Sequence, residues 1–187
     1  MMFLKNNNCV SIAKFSPQYC NEIIQKSDSL PIQEANIQDG NQDNRSSNVA
    51  WVKENQQLYK DLEKIVLEHN KSAGWNYDLK EFEPFQYTIY NENDHYDWHI
   101  DSHTDPYPNG FIRKLSFTLC LNEDYEGGEF EIANPNPKGI NQNVKFTDKF
   151  TTGTIITFPS FMWHKVHPIT KGTRKVLVGW IVGPSFV

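Results

Sequence analysis

Hydrophobic residues recur at helical spacing in two stretches of the first 75 residues. The first predicted helix begins with Ser16 as its N-cap and Pro17 at its first helical position. The second spans residues 54–70 and is followed by Gly74, which closes the helical half of the chain. The apolar positions that define the two faces are Cys20, Ile23 and Ile24 in the first helix and Leu58, Leu62, Ile65 and Val66 in the second. Residues 31–49 are polar and show no apolar period, so we predict a mobile loop there.

After residue 80 the hydrophobic period changes from that of a helix to that of a strand. Five short segments are rich in β-branched and aromatic residues: FQYTIY (85–90), KLSFTLCL (114–121), EFEI (129–132), TIITF (154–158) and KVLVGWIV (175–182). In KLSFTLCL the apolar residues at odd positions alternate with polar or small residues at even positions, which is typical of a strand with one strongly apolar face. Helices followed by strands predict a mainly β fold, a sandwich or barrel that N-terminal helices support on one face.

Length and composition narrow the class of protein. A chain of 187 residues is close to the usual size of one domain, and we predict a single domain over residues 1–187, with helical support over residues 12–75 and a strand-rich core over residues 82–187. The formal charge of −5 provides no broad cationic field, so we expect no nucleic-acid partner. Three cysteines without a CxxC pair, and no long apolar run, predict a cytoplasmic protein without a disulfide framework, signal peptide or membrane span. The sequence does not indicate an oligomeric state.

The stretch YNENDHYDWHIDSHTD, residues 90–105, contains three histidines and four aspartates. On an extended strand residues i and i+2 point to the same side, so His99 and Asp101 can converge on one ion. A third ligand must come from elsewhere, and His164 and His167 are both candidates. Two histidines and one carboxylate suit Fe(II) and leave coordination positions open, which indicates catalysis. The other titratable residues of the stretch are interpreted as solvated or turn-forming groups: His95, His103, Asp94, Asp97 and Asp105.

Four motifs follow one another between residues 85 and 183. They are Y-x-x-N-x-x-Y-x-x-H-x-D with Tyr90, Tyr96, His99 and Asp101; R-x-x-S-x-x-x-x-L-N with Arg113, Ser116, Leu121 and Asn122; YEGGEF; and FPS followed by His164, Val166, Pro168, Gly172 and Arg174. In this order and spacing they resemble the Fe(II)- and 2-oxoglutarate-dependent dioxygenase superfamily, in particular its prolyl-4-hydroxylase-like branch of bacteria and phages. Two positions depart from the family pattern: Asn93 replaces a frequent glycine, and Cys120 stands where some relatives carry a tyrosine that touches the cosubstrate.

The resemblance implies a double-stranded β-helix, or jelly roll, over residues 82–187, with Fe(II) at its open end and 2-oxoglutarate and O2 as cosubstrates. It selects His164 over His167, because the family places the distal histidine ten residues before the basic residue. Arg174 would then bind the distal carboxylate of 2-oxoglutarate through two parallel hydrogen bonds, and Tyr90 would donate its hydroxyl to the cosubstrate. The implied catalytic metal ligands are His99, Asp101 and His164.

The function implied by the resemblance is that of an oxidoreductase, a dioxygenase that hydroxylates its substrate. The substrate is a prolyl residue of a protein or peptide, a free amino acid or another small metabolite. Loops over residues 31–50 and 133–152 would flank the mouth of the barrel and select the substrate. The alternative is a non-catalytic, cupin-like sensor that uses the same ligands to report iron or 2-oxoglutarate. The complete ligand set together with Arg174 favours the enzyme.

Overall fold

The computed structural model describes residues 4–7, 10–35, 44–53, 55–102, 105–133, 144–146 and 150–186. Within these ranges it contains two α-helices, α1 (Pro17–Ser27) and α2 (Gln56–Ser72). The Ser16 side chain accepts a hydrogen bond from the Tyr19 amide, so α1 begins where the N-cap pattern predicts. Asn55 caps α2 in the same way, and this helix therefore begins two residues later than predicted. No helix in the described part of the chain is long and apolar enough to cross a membrane.

The strands in the described ranges form a large sheet, a small sheet and a separate pair, all antiparallel. In chain order they are β1 (Leu4–Asn7), β2 (Val10–Lys14), β3 (Gln33–Glu34), β4 (Arg45–Ser46), β5 (Asn48–Val52), β6 (Glu81–Phe82), β7 (Phe85–Tyr90), β8 (His95–His99), β9 (Phe111–Cys120), β10 (Tyr125–Gly127), β11 (Phe130–Ile132), β12 (Val144–Phe146), β13 (Thr154–Pro159), β14 (His164–Val166), β15 (Ile169–Gly172) and β16 (Arg174–Pro184). The large sheet has the order β1-β2-β13-β9-β16-β7-β5-β3, with β6 beside β16. The small sheet has the order β12-β11-β14-β8-β4, and β10 pairs with β15. The five predicted strand segments fall on β7, β9, β11, β13 and β16, which confirms them.

The large sheet is buried on both faces. Its outer face carries the two helices, where Ile23 of α1 and Leu62 of α2 belong to the same core cluster as Phe117 of β9. Its inner face meets the small sheet in a second cluster, which joins Val176 of β16 to Phe130 of β11. The molecule therefore has three layers, and the interior between the two sheets is separate from the core between helices and sheet.

The alternation of side chains along β9 distributes them between these two layers. The odd-numbered residues from Leu115 to Leu119 belong to the helix-side cluster, as predicted for the apolar face. The even-numbered residues Ser116, Thr118 and Cys120 are buried too, because the small sheet covers the opposite face. Polar side chains of this face therefore line the interior between the sheets.

Two regions predicted as loops contain strands. Residues 31–49 include β3, β4 and the start of β5, so the loop prediction was wrong for these residues. The strands β3 and β4 are two residues long and unburied, and they extend the sheet edges through backbone hydrogen bonds that require no apolar period. Residues 133–152 include β12 at the edge of the small sheet, and 134–143 and 147–149 lie outside the described residues. The part predicted as helical support, residues 12–75, therefore also contributes strands to both sheets.

Candidate active site

Two neighbouring strands of the small sheet bring the three predicted metal ligands to one point. His99 ends β8, His164 begins β14, and the two residues are direct partners across this antiparallel pair. Asp101 follows β8, and its amide donates to the Ser160 carbonyl at 2.9 Å, which holds it beside the turn before β14. Its Oδ1 lies 3.8 Å from Nε2 of His99, and its Oδ2 lies 3.5 Å from Nε2 of His164. Among the described residues these three form the one group of this kind, with ligand atoms within 4.8 Å of one another.

Both histidines direct Nε2 toward this point because their other ring nitrogen is hydrogen-bonded. Nδ1 of His99 lies 2.7 Å from the carbonyl oxygen of Asp97, and Nδ1 of His164 lies 2.9 Å from that of Met162. A carbonyl oxygen only accepts hydrogen bonds, so each Nδ1 carries the proton and each Nε2 has a free lone pair. This is the tautomer that a histidine needs when Nε2 binds a metal.

Aromatic packing fixes the plane of the His99 ring. Tyr96 stacks on it with 3.4 Å between ring centroids, and Arg45 of β4 lies 4.6 Å from the centroid of Tyr96. Burial, together with the adjacent His164, lowers the pKa of His99 to about 3. His99 is therefore neutral at physiological pH, as a metal ligand must be.

The carboxylate of Asp101 is kept ionised by its neighbours. Burial by itself would raise its pKa, but the two histidines, Arg113 and the Ser116 hydroxyl lower the pKa to about 2. Arg113 in turn is held by Glu83, with 2.8 Å from Nε to Oε1 and 2.6 Å from Nη2 to Oε2. Ser116 of β9 lies 2.9 Å from Ser160, oxygen to oxygen, and Ser160 directly follows β13, the neighbour of β9. Glu83 stands at no metal-ligand spacing and was missed by sequence reasoning, and Ser160 entered only as the last residue of the FPS motif, without a role.

The remaining histidines do not join the metal cluster. Nε2 of His167 lies 2.6 Å from Oε2 of Glu131, so His167 lies outside the group that His164 joins. His95 lies outside the cluster as well, and His103 lies outside the described residues. Asn93, in the turn before β8, has φ 72°, so it adopts the left-handed conformation expected at its place in the motif.

Arg174 is a fully buried cation without a hydrogen-bond partner in the described ranges of the chain. It begins β16, and Nε, Nη1 and Nη2 have no partner among the described residues. The ring centroid of Tyr90, its partner on β7, lies 5.3 Å from Cζ, and that of Phe150 lies 5.1 Å away. An unpaired buried charge is costly, so the site requires an anion, and a carboxylate matches the guanidinium with two parallel hydrogen bonds. No carboxylate of the described residues pairs with Arg174, which argues against a structural ion pair.

Three further residues complete the surroundings of the guanidinium. The Cys120 thiol lies 3.9 Å from the Tyr125 hydroxyl, sulfur to oxygen. Gly128 has φ +64°, and a Cβ there would lie 2.3 Å from Ile169 Cδ1 and 3.1 Å from Arg174 Cδ. A cleft of about 270 Å³, lined in part by Tyr125 and Gly128, opens beside them. We call the following set the Arg174 pocket: Tyr90, Cys120, Tyr125, Gly128 and Phe150.

The Arg174 pocket lies next to the metal cluster inside the barrel. The Phe130 ring connects them, since its centroid is 5.7 Å from that of His164 and 6.1 Å from that of Phe150. Trp180 lies further along β16, opposite Ser116, with Arg113 Cζ 4.0 Å from its ring centroid. Its buried indole N–H has no hydrogen-bond partner in the described part of the chain. The interior thus contains a group of possible metal ligands, together with a guanidinium and an indole N–H that have no hydrogen-bond partner among the described residues.

A nitrogen and oxygen ligand set between the sheets of an antiparallel β structure is typical of a non-haem iron site. The sequence model of the 2OG-Fe(II) oxygenase superfamily matches residues 85–182, slightly more than half of the chain, and the chain belongs to this superfamily. Membership implies Fe(II), 2-oxoglutarate and O2, and the donor set and the unpaired Arg174 fit the first two. The predicted family resemblance is thereby confirmed.

Solved structures with this fold cover nearly the whole chain. A Pseudomonas putida prolyl-4-hydroxylase superposes with a TM-score of 0.70 at 18% identity, over 92% of this chain and 91% of that one. A Trichoplax adhaerens prolyl hydroxylase superposes with a TM-score of 0.72 at 18% identity, over 94% of this chain and 84% of that one. That structure is a complex with a peptide fragment of a hypoxia inducible factor oxygen degradation domain. These similarities support the mainly β jelly-roll fold.

Curated relatives match shorter parts of the sequence. A PKHD-type hydroxylase of Picosynechococcus is 45% identical over 82 residues, which are 42% of this chain and 34% of the relative. One from Crocosphaera subtropica is 32% identical over 141 residues, which are 70% of this chain and 60% of the relative. The match thus spans about a third of the length of the first relative and less than two thirds of the second.

Proposed function

We propose that the protein is an Fe(II)- and 2-oxoglutarate-dependent dioxygenase that hydroxylates a prolyl residue of a protein or peptide, or a free amino acid. The observation that carries this proposal is the fully buried, unpaired Arg174 beside a cluster of two histidines and one aspartate. A metal site alone would also suit a structural ion. The adjacent anion pocket adds the feature that a dicarboxylate cosubstrate requires.

Each side chain of the site has a distinct role in this proposal. His99, Asp101 and His164 would hold Fe(II), and Arg174, with Tyr90, would bind the far end of 2-oxoglutarate. When bound, iron and 2-oxoglutarate supply the chemistry that activates O2, releases succinate and CO2 and inserts one oxygen atom into a substrate C–H bond. The protein fixes the ligand rotamers, keeps the carboxylate ionised and surrounds the reacting groups with apolar side chains that exclude water.

Exposed apolar side chains close in the chain to the metal ligands support a polypeptide substrate. Ile100, Phe161 and Trp163 are 38%, 49% and 53% exposed, and all three lie within three residues of a ligand in the chain. Exposed apolar side chains grouped in this way are common at binding surfaces. The similar Trichoplax adhaerens enzyme is a prolyl hydroxylase bound to a peptide, which supports the same substrate class here. The unpartnered indole N–H of Trp180 is a candidate donor to the substrate backbone.

Anaerobic addition of Fe(II) and 2-oxoglutarate, followed by O2, tests the proposal. We expect a weak visible charge-transfer band before O2 enters, and then succinate formation. Mass spectrometry of proline-containing peptides and of free amino acids would identify the product that gains one oxygen atom. A non-catalytic sensor would show the band without succinate, and the absence of both signals would contradict the proposed cosubstrate.

A further inference from the structure

A second phenol reaches the Arg174 pocket from outside the large sheet. Tyr125 begins β10, which pairs with β15 and not with the strand of Arg174. Its hydroxyl lies 3.9 Å from the sulfur of Cys120, which is fully buried, so this end of the side chain lies in the interior. A thiol is a weak hydrogen-bond partner, and a phenol in this position can donate to a stronger acceptor.

Tyr125 and Arg174 border the same small space. A Cβ on Gly128 would lie 3.1 Å from Arg174 Cδ and 3.4 Å from Tyr125 Cε2, so both side chains flank this glycine. Their proximity is also electrostatic: burial raises the pKa of Tyr125 to about 12, and the charge of Arg174 opposes this rise. The guanidinium has three nitrogens without a hydrogen-bond partner among the described residues, so the space that both side chains face suits an anion.

We infer that the Tyr125 hydroxyl donates a hydrogen bond to the same carboxylate that Arg174 binds, namely the distal carboxylate of 2-oxoglutarate. This inference rests on the proposed function. A carboxylate has about four lone-pair sites, and a bidentate guanidinium leaves room for a further donor. A 2-oxo acid without that carboxylate would leave Arg174 without an anion and Tyr125 with only the weak thiol partner, so the two residues together select a dicarboxylate.

Binding of two ligands to two variants tests the inference. Calorimetric titrations of the Fe(II)-loaded protein without O2 would compare 2-oxoglutarate with 2-oxopentanoate, which lacks the distal carboxylate. Tyr125→Phe should lower the affinity for 2-oxoglutarate about tenfold or more, because a hydrogen bond to a charged group is lost. The affinity for 2-oxopentanoate should stay unchanged. Tyr87→Phe is the matched control, since the Tyr87 hydroxyl donates to Asp28 at 2.6 Å on the helix side of the large sheet. It should leave both affinities unchanged.

Several results would overturn the inference alone. If Tyr125→Phe lowered the affinity for both ligands equally, the side chain would act through packing. Unchanged 2-oxoglutarate affinity in Tyr125→Phe would exclude the hydrogen bond. The same conclusion would follow if Tyr90→Phe, and not Tyr125→Phe, lowered the affinity for 2-oxoglutarate but not for 2-oxopentanoate. A wild-type protein that binds no 2-oxoglutarate would instead overturn the proposed function, and the inference with it.

Discussion

At the scale of single residues, the interior between the sheets holds donors and lone pairs that converge without bonding to one another. Nε2 of His99 and of His164 and the carboxylate of Asp101 face one point, and the nearby Arg174 nitrogens have no partner among the described residues. Folded proteins normally pair such groups, because an unpaired buried polar group costs about 1–3 kcal/mol. The unpaired guanidinium therefore indicates a binding site for an anion, and the donor set beside it indicates a binding site for a metal.

Replacing His99 or Asp101 by alanine is expected to abolish Fe(II) binding and turnover while the protein stays folded. Each change removes one of the three donors and none of the apolar side chains of the two core clusters. Anaerobic Fe(II) titration and succinate formation measure the effect, and circular dichroism reports the fold. His167→Ala is the control and should retain most activity, because His167 pairs with Glu131 and not with the cluster. Succinate at the wild-type rate in either ligand variant would contradict the assignment.

Replacing Arg174 by methionine is expected to weaken 2-oxoglutarate binding without destabilising the ligand-free protein. Losing a charge-assisted bidentate contact costs about 2–5 kcal/mol, a loss of affinity of about thirty-fold or more. Removing a buried cation that has no hydrogen-bond partner among the described residues also removes its desolvation penalty. Titration of 2-oxoglutarate and of Fe(II), each under anaerobic conditions, and urea unfolding of the ligand-free protein measure the three quantities.

Two further substitutions, Arg174→Lys and Arg174→Ala, extend the comparison at this position. Arg174→Lys should bind 2-oxoglutarate with an affinity between those of the wild type and Arg174→Ala, because an ammonium keeps the charge but not the planar fork. Fe(II) affinity should stay the same in all variants. A large loss of stability in Arg174→Met would show that Arg174 is a structural ion pair.

At the scale of elements, the turn between β10 and β11 shapes the Arg174 pocket. This turn contains Gly128, where positive φ and the absence of a side chain let the backbone approach Arg174 and Ile169. The turn that precedes β9 offers a contrast. Gly110 has φ +78°, but a Cβ there would meet no atom within 4 Å. Substitutions at the two glycines therefore distinguish the effect of backbone strain on stability from the effect of a Cβ that crowds the Arg174 pocket.

Gly128→Ala is expected to lower both stability and 2-oxoglutarate affinity, whereas Gly110→Ala should lower only stability. An alanine at positive φ costs about 1 kcal/mol in either turn. Only at position 128 does the new Cβ press on Ile169 and Arg174 as well, which displaces the guanidinium. Urea unfolding and 2-oxoglutarate titration distinguish the two effects. Equal 2-oxoglutarate affinity in the two variants would show that the pocket tolerates the displacement.

At the scale of the whole molecule, the helix layer and the active site lie on opposite faces of the large sheet. The helices form one core cluster with the outer face, and the second cluster, which includes Tyr90 and Cys120 of the Arg174 pocket, lies between the sheets. Strands β7, β9 and β16 contribute to both clusters by alternation. Helix packing therefore stabilises the outer face of the large sheet, and the candidate metal ligands all come from outside the two helices.

Leu62→Ala is expected to reduce the free energy of unfolding by about 2–5 kcal/mol without changing ligand affinities of the folded protein. Leu62 is fully buried in α2, so the change leaves a cavity between the helix and the sheet. Leu67→Ala on the same helix is the control: this side chain is 48% exposed, and its loss should change stability by no more than about 0.5 kcal/mol. Urea unfolding and 2-oxoglutarate titration well below the unfolding midpoint provide the comparison. A change in Kd for Leu62→Ala would show that the two layers are coupled.

The sequence by itself determined the positions of the main elements and predicted which residues could bind a metal. The two helices and five strands follow from the period of apolar residues, because burial on one face imposes that period locally. His99 and Asp101 follow from strand spacing, and the choice of His164 follows from the spacing of a family motif. These are properties of residues close together in the chain. Strands β3 and β4 escaped prediction because backbone hydrogen bonds, which leave no apolar pattern, define them.

Only the tertiary structure decided which polar groups meet in the interior. Glu83 binds Arg113 thirty residues away, and Tyr125 faces Arg174 from a different strand pair. Whether Arg174 has a partner depends on every element that packs around it, and no local pattern encodes that outcome. The sequence predicted which residues could act, and the fold decided which of them share one space, since contacts between distant segments form only when the sheets pack together.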